Sequence, residues 1–114
     1  MNKYKIELFG NIWIKKDGKN FIGKGRVELL EKIGKTGSIA KAARDMGMSY
    51  KAAWDAIDIM NKLSSKPLVI KKSGGKDGGG TTLTDSGRDT INKFKSIEAK
   101  NRKFLDKIKI NIQL

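Results

Sequence analysis

The sequence predicts an α+β fold, and three observations carry that prediction. Apolar residues alternate with period two through residues 3–9, and two short apolar runs flanking Asp17-Gly18 extend the β signal to residue 22. From residue 25 the period lengthens to that of amphipathic helices and holds as far as the single proline, Pro67. Beyond it, two short β-branched runs at 68–72 and 81–84 flank a glycine-rich loop and lead into a long helical stretch.

The first segment, "KYKIELF" (3–9), puts Tyr4, Ile6 and Leu8 on one side and Lys3, Lys5, Glu7 and Phe9 on the other. Gly10-Asn11 interrupts it. "IWIKK" (12–16) and "KNFI" (19–22) flank Asp17-Gly18, a dipeptide that favours a type I′ hairpin turn. Residues 3–22 are therefore expected to be β structure, with Phe9, Trp13 and Phe21 packing the hairpin or a partner chain.

Val27, Leu29, Leu30 and Ile33 mark a helix over about 25–34, ended by Gly34 or Gly37. Ser38 is placed to cap a second helix, 38–46, whose inner face is Ile39, Ala42, Ala43 and Met46. Gly47 closes it, since glycine adopts the left-handed region freely. Ser49 caps a third helix, 49–64. Ala53, Ala56, Ile57, Met60 and Leu63 form its inner stripe, and Tyr50, Lys51, Trp54, Asp55 and Asp58 its other face. Pro67 forbids continuation.

Residues 68–84 form a hairpin with a long tip, "SGGKDGGG", holding five glycines. Thr84 or Asp85 caps a long helix over about 85–108, with Ile91, Phe94, Ile97, Asn101, Phe104 or Leu105, and Ile108 as its stripe. The tail, "IKINIQL", alternates with period two and suits either a helix end or a strand. The whole is expected to be one domain, 1–114, because about 100–150 residues is the usual domain size.

The chain carries 25 basic and 12 acidic residues, a net charge of +13. A balance of that size points to a polyanionic partner. The basic residues are threaded through patterned segments rather than gathered in a tail, so they belong to folded surfaces. Cysteine and histidine are both absent. That removes disulfides, thiolate and imidazole metal sites and the usual nucleophile–base pairs, and the carboxylates show no paired spacing. No enzyme, cofactor or metal is expected. Signal peptide and membrane span are also absent from the pattern, and the chain reads as cytoplasmic.

Helix, helix, short turn, helix, hairpin is the order of a winged helix-turn-helix. Ala43 lets two helices cross closely, Gly47 turns the chain, and small inner residues seat the third helix with its first turns projecting. Lys51 suits guanine O6 or N7, and Tyr50 a sugar or phosphate. Ser49 either bonds DNA or caps its own helix, the capping role being favoured. Trp54 either presses on a thymine methyl or packs under the wing. Asp55 either accepts from cytosine N4 or pairs with Lys51 one turn away, the ion pair being favoured. A nucleotide cradle is a poor reading of the glycine loop, because Gly75-Lys76 is followed by Asp77 and the chain then enters a strand. As a wing tip, Gly75 and Gly78 let backbone amides approach phosphates, while Lys71, Lys72 and Lys76 supply charge.

"TGSIAKAARDMGMSYKAAWDAIDIMNKL" followed by "GGKDGGGTTLTDSG" resembles the N-terminal DNA-binding domain of ModE-type molybdate-responsive transcription regulators. The "SYKAAWDAI" core (49–57) and the glycine wing are the specific parts. The opening from Gly37 to Ala43 and the closing "LT-x2-G" (83–87) resemble the broader LysR-type winged helix. The likeness covers roughly residues 25–95. It implies a homodimer on a palindromic site in double-stranded DNA, with Ser49, Tyr50, Lys51 and Trp54 toward DNA. It also implies a dimer seam of Ile91, Phe94, Ile97, Phe104 and Ile108, with contributions from the N-terminal region. Regulation of molybdate or tungstate transport, or of molybdenum-cofactor genes, follows by the same likeness. The oxyanion-binding domains of such regulators are expected to be missing from a chain that stops at Leu114. Response to molybdate or tungstate would then rest on an oxyanion bound elsewhere on the chain, at helix N-termini or lysines, or on a separate sensing partner. The competing expectation, of a different class, is a protein–protein dimerisation module that docks another regulator or an oxyanion-binding protein.

Overall fold

The computed structural model describes residues 4–72 and 80–114. In chain order the elements are β1 (Trp13–Lys16), β2 (Lys19–Gly23), α1 (Lys24–Thr36), α2 (Ile39–Asp45), α3 (Tyr50–Leu63), β3 (Val69–Lys71), β4 (Thr81–Leu83) and α4 (Asp85–Lys109). β1 and β2 form one antiparallel pair and β3 and β4 another. Asp17 and Gly18 turn the first hairpin with φ of 51° and 73°, the positive values a type I′ turn requires. A bulge between Ile14 and Lys15 lets Ile14 pair with Ile22 and Lys15 with Asn20.

The core lies where α1, α2, α3 and the start of α4 converge. Leu29, Leu30 and Ile33 of α1 pack with Ile39, Ala42 and Ala43 of α2 and with Ala53, Ile57 and Met60 of α3. β2 contributes Phe21 and Ile22, the second hairpin Leu68, Val69 and Leu83, and α4 contributes Ile91 and Phe94. No residue with a polar or charged side chain is buried as a whole among the described residues, so apolar burial dominates this core.

α1 runs past Gly34 and ends at Gly37, where φ is 68°. Gly34 is needed inside the helix for another reason: a Cβ there would stand 3.0 Å from Leu83 Cδ2. The same strand and Gly87 of α4 approach even more closely. A Cβ on Gly87 would lie 2.4 Å from the Leu68 carbonyl oxygen, a distance no side-chain adjustment relieves. The "LT-x2-G" pattern is therefore a packing requirement of the helix that leaves the second hairpin.

One expectation fails, and one left open is decided. The alternating residues that follow Lys3, from Tyr4 to Phe9, form no strand; Lys3 itself lies outside the described residues. Their segment runs along α4, where the Arg102 guanidinium donates to the Leu8 carbonyl at 2.7 Å and Asn101 Nδ2 to that of Gly10 at 3.1 Å. Side chains on a helix take the place of a neighbouring strand. Of the two readings of the tail, the helix end is the one present: α4 continues to Lys109 and closes in a turn.

α4 has 25 residues, about 37 Å at 1.5 Å per residue. Only its first turns join the core. The Lys95 ammonium also meets the Glu31 carboxylate of α1. That hydrogen bond, and then the charge of Glu31, raises the Lys95 pKa above its ordinary 10.5. Farther on the helix projects, and the molecule measures 66 × 29 × 21 Å.

Candidate nucleic-acid interface

α2 and α3 are held at a fixed angle by their connection. The Met48 amide donates to the Ala43 carbonyl at 3.0 Å and that of Gly47 to Arg44 at 3.1 Å. Gly47 has φ of 66°, which a residue with a Cβ tolerates poorly. Ser49 Oγ then accepts from the Ala52 amide at 3.1 Å. The favoured capping role of Ser49 is thus the one present, and it fixes the first turn of α3, from which Tyr50 and Lys51 project into solvent.

Lys51 Nζ lies 2.9 Å from Asp55 Oδ2, the favoured reading of that pair. Tyr50 meets the edge of Trp54 with ring centroids 6.3 Å apart at 69°. Trp54 is half-buried and packs against the core. The ammonium of Lys71 stands 4.5 Å from the centroid of the Trp54 ring, within cation–π range. Of its two readings, Trp54 takes the one under the wing.

The second hairpin is fastened to the helices at three places. Asn61 of α3 accepts from the Leu68 amide at 2.8 Å and donates to the Val69 carbonyl at 2.9 Å. The Thr81 amide donates to the carbonyl of Gly37, the residue that closes α1, at 3.0 Å. Thr84 donates to the Pro67 carbonyl at 2.7 Å while accepting from the Gly87 amide at 3.0 Å, so it caps α4 and ties it to the hairpin together. A cleft of about 240 Å³ opens between hairpin and α3, lined among others by Tyr50, Trp54, Lys71, Lys72 and Thr81.

The structure therefore brings Tyr50, Trp54, Lys71 and Lys72 to one cleft, with the Lys51–Asp55 pair on the neighbouring turn of α3. Gly75, Lys76 and Gly78 lie outside the described residues. Sequence reasoning missed Asn61. The available signal was an amide side chain on the last turn of a helix followed by a proline and a strand, where edge amides need partners.

The stripe expected to form a dimer seam divides. Ile91 and Phe94 are buried in this chain's own core, which removes them from any seam: the first turns of α4 must cover α1 and the hairpin. Ile97, Phe104 and Ile108 remain exposed, Phe104 at 60%. Tyr4, Phe9 and Trp13 are exposed as well; of the three aromatics expected to pack the hairpin or a partner chain, Phe21 is buried in this chain and Phe9 and Trp13 keep only the second reading.

Two helices crossing at a glycine turn, an exposed first turn on the second, and a lysine-bearing hairpin beside it define a winged helix-turn-helix DNA-binding domain. The chain belongs to the lysR family of bacterial regulatory helix-turn-helix proteins, which residues 25–88 match. Within it the domain is of ModE type. It is 48% identical over 83 residues to the molybdenum transport protein ModE of Azotobacter vinelandii, covering 73% of this chain and 31% of that one. It is 46% identical over 93 residues to the molybdenum-pterin-binding protein MopB of Rhodobacter capsulatus, covering 82% and 34%. It is 42% identical over 93 residues to the DNA-binding transcriptional dual regulator ModE of Escherichia coli K12, covering 82% and 36%. The matched region spans about a third of the length of these relatives. Among the described residues no helix is long and apolar enough to cross a membrane, and no group of acidic side chains is placed to hold a metal.

Proposed function

We propose that this protein is a homodimeric, sequence-specific DNA-binding regulator acting in the cytoplasm on genes for molybdate or tungstate transport or molybdenum-cofactor synthesis. One observation carries the DNA reading: the exposed turn of α3 bearing Tyr50 and Lys51 lies beside a hairpin stem bearing Lys71 and Lys72, on a chain of net charge +13. The α3 face would read base edges, and the hairpin lysines would supply the salt-dependent affinity for phosphates. The metal context rests on the names of the relatives.

Pairing is supported by shape. The radius of gyration is 17.7 Å, against about 13 Å for a compact chain of this length. The excess comes from a projecting helix that leaves Ile97, Phe104 and Ile108 uncovered. A second copy laid along that helix would cover them; to meet successive major grooves its α3 must then stand about 34 Å from the first, one turn of DNA.

Random-site selection on duplex DNA, with and without molybdate, tests the reading. A twofold-symmetric consensus bound saturably at moderate salt supports it. Absence of any saturable complex, with capture of a partner regulator instead, would favour a docking module. A molybdate-dependent shift would locate oxyanion sensing within these residues.

A further inference from the structure

The helix expected to approach DNA most closely carries no net charge. α3 holds Lys51 and Lys62 against Asp55 and Asp58, on a chain of net +13. Both of its cations are engaged within the helix, Lys51 with Asp55 at 2.9 Å and Lys62 with Asp58 at 2.9 Å. The Lys51–Asp55 pair stands in the open, with side chains 85% and 59% exposed, so neither group is held there by burial. The adjoining hairpin differs: Lys71 is held over the Trp54 ring by the indole face rather than by a carboxylate.

We propose, resting on the DNA-binding reading above, that Asp55 is a specificity-determining residue that holds Lys51 back from indiscriminate contact with phosphates. A DNA groove is negative along its whole length, so a free lysine on the entering helix strengthens binding to every sequence. A lysine already paired must give up its carboxylate to follow a phosphate. A guanine placed opposite Lys51 offers O6 and N7 to the ammonium's remaining donors, so Lys51 binds it without leaving Asp55. At any other base pair two arrangements remain. Lys51 stays with Asp55 and contributes nothing, or it leaves and the Asp55 carboxylate faces the groove without a partner. Both arrangements penalise the wrong site, so the acid widens the gap between right and wrong sequences by weakening the wrong ones. An asparagine of the same shape would lack this effect, because it neither neutralises Lys51 nor repels phosphate.

The size of the effect follows from counterion release. One additional cation acting on phosphates steepens the dependence of log K on log salt by about 0.9. Over a fourfold change in salt that corresponds to about a 3.5-fold change in affinity.

The test uses the 114-residue protein, the duplex enriched by random-site selection, and a scrambled duplex of equal composition, at 50 and 200 mM salt. Asp55→Asn is expected to steepen the salt slope of the scrambled duplex by about 0.9, so that its tightening relative to the native protein is about 3.5-fold greater at 50 than at 200 mM salt. The selected duplex is expected to change less than twofold at either salt, so the ratio of affinities falls, and falls further at 50 mM. Asp55→Glu keeps the charge within reach of Lys51 and is expected to keep the ratio. If Asp55→Asn weakens the selected duplex and leaves the scrambled one alone, Asp55 reads a base directly and the proposal is overturned. Equal shifts on both duplexes overturn it too. If the unaltered protein enriches no sequence, the sequence-specific reading itself has failed, and that is visible before any variant is compared.

Discussion

Replacing Asn61 by alanine isolates the bond between the recognition helix and the wing. Its side chain supplies an acceptor to the Leu68 amide at 2.8 Å and to the Val69 amide at 3.3 Å, and a donor to the Val69 carbonyl at 2.9 Å. Leu68 and Val69 are both buried, so water does not readily replace what is lost. A buried backbone group left without a partner costs about 1–3 kcal/mol. Two short bonds are removed from a region only partly closed to solvent, which places the total near the lower end, about 2 kcal/mol. For a chain of this size that lowers the melting temperature by about 6–12 °C. The effect is also local. Amide hydrogen exchange at Leu68 and Val69 is expected to accelerate more than exchange at Leu30 or Ile57 in the core. Melting must be compared at one protein concentration, because pairing would shift it by mass action. A loss below about 0.5 kcal/mol, the range of an ordinary surface substitution, with unchanged exchange at both amides, would show that the hairpin is held without Asn61 and that the three-point attachment is wrong.

Glycine substitutions should separate by site. Gly87→Ala, whose new methyl would meet the Leu68 carbonyl and Leu83, is expected to lose more than about 2 kcal/mol in chemical denaturation despite the gain in helix propensity. Gly25→Ala, with nothing within 4 Å, should instead gain about 0.5–1 kcal/mol. Phe104→Asp is expected to shift the sedimentation coefficient to that of a monomer without changing helical content; an unchanged oligomer would remove the exposed end of α4 from the seam. The Lys95–Glu31 pair sets a pH signature. Because the Lys95 pKa is raised in the folded chain, its contribution is complete below the ordinary value of 10.5 and disappears as pH climbs through the folded value. The melting difference between the native chain and Glu31→Gln is therefore expected to stay level from pH 8 to 10 and shrink above that.

The helix-turn-helix was legible because its boundaries are local. Ser38 and Ser49 cap through their own hydroxyls, to the Lys41 and Ala52 amides, and such caps depend only on residues three apart. The boundaries 38–46 and 49–64 accordingly lie within a residue of Ile39–Asp45 and Tyr50–Leu63. Residues 4–9 misled for the opposite reason. Period two describes any extended chain lying on a surface, and only a partner at long range makes it a strand. Gly34 misled similarly: glycine reads as a stop until Leu83, far along the chain, supplies a reason for it inside a helix. At the site, Tyr50, Lys51 and Lys71 could be named from composition and order. The contact between Lys71 and Trp54 could not, since it depends on how the hairpin docks. The stripe of α4 shows the limit most plainly. Periodicity marks Ile91, Phe94, Ile97 and Phe104 alike, yet the fold covers the first two and leaves the others bare.

That division of α4 has a mechanical consequence. Its first residue follows Thr84, which is bonded to the wing stem, and the stem is bonded in turn to α3 through Asn61 and to the end of α1 through Thr81. The parts proposed to face DNA thus form one body together with the first turns of α4, a helix of about 37 Å in all. In the proposed pairing, the contacts that fix one α3 helix relative to the other all lie on the outer half of that helix and on the N-terminal segment bonded to it by Asn101 and Arg102. A rotation of about 10° at the seam, about 26 Å from the inner end of the helix, would carry that end through roughly 4.5 Å, more than one base-pair step of about 3.4 Å. Substitutions around Phe9, Asn101 or Phe104, which lie outside the proposed DNA face, should therefore alter the preferred spacing between half-sites while leaving the preferred bases within each half-site unchanged. Selection with half-sites held constant and their separation varied would reveal this. A changed base preference with unchanged spacing would contradict it, because it would require the helix-turn-helix itself to yield.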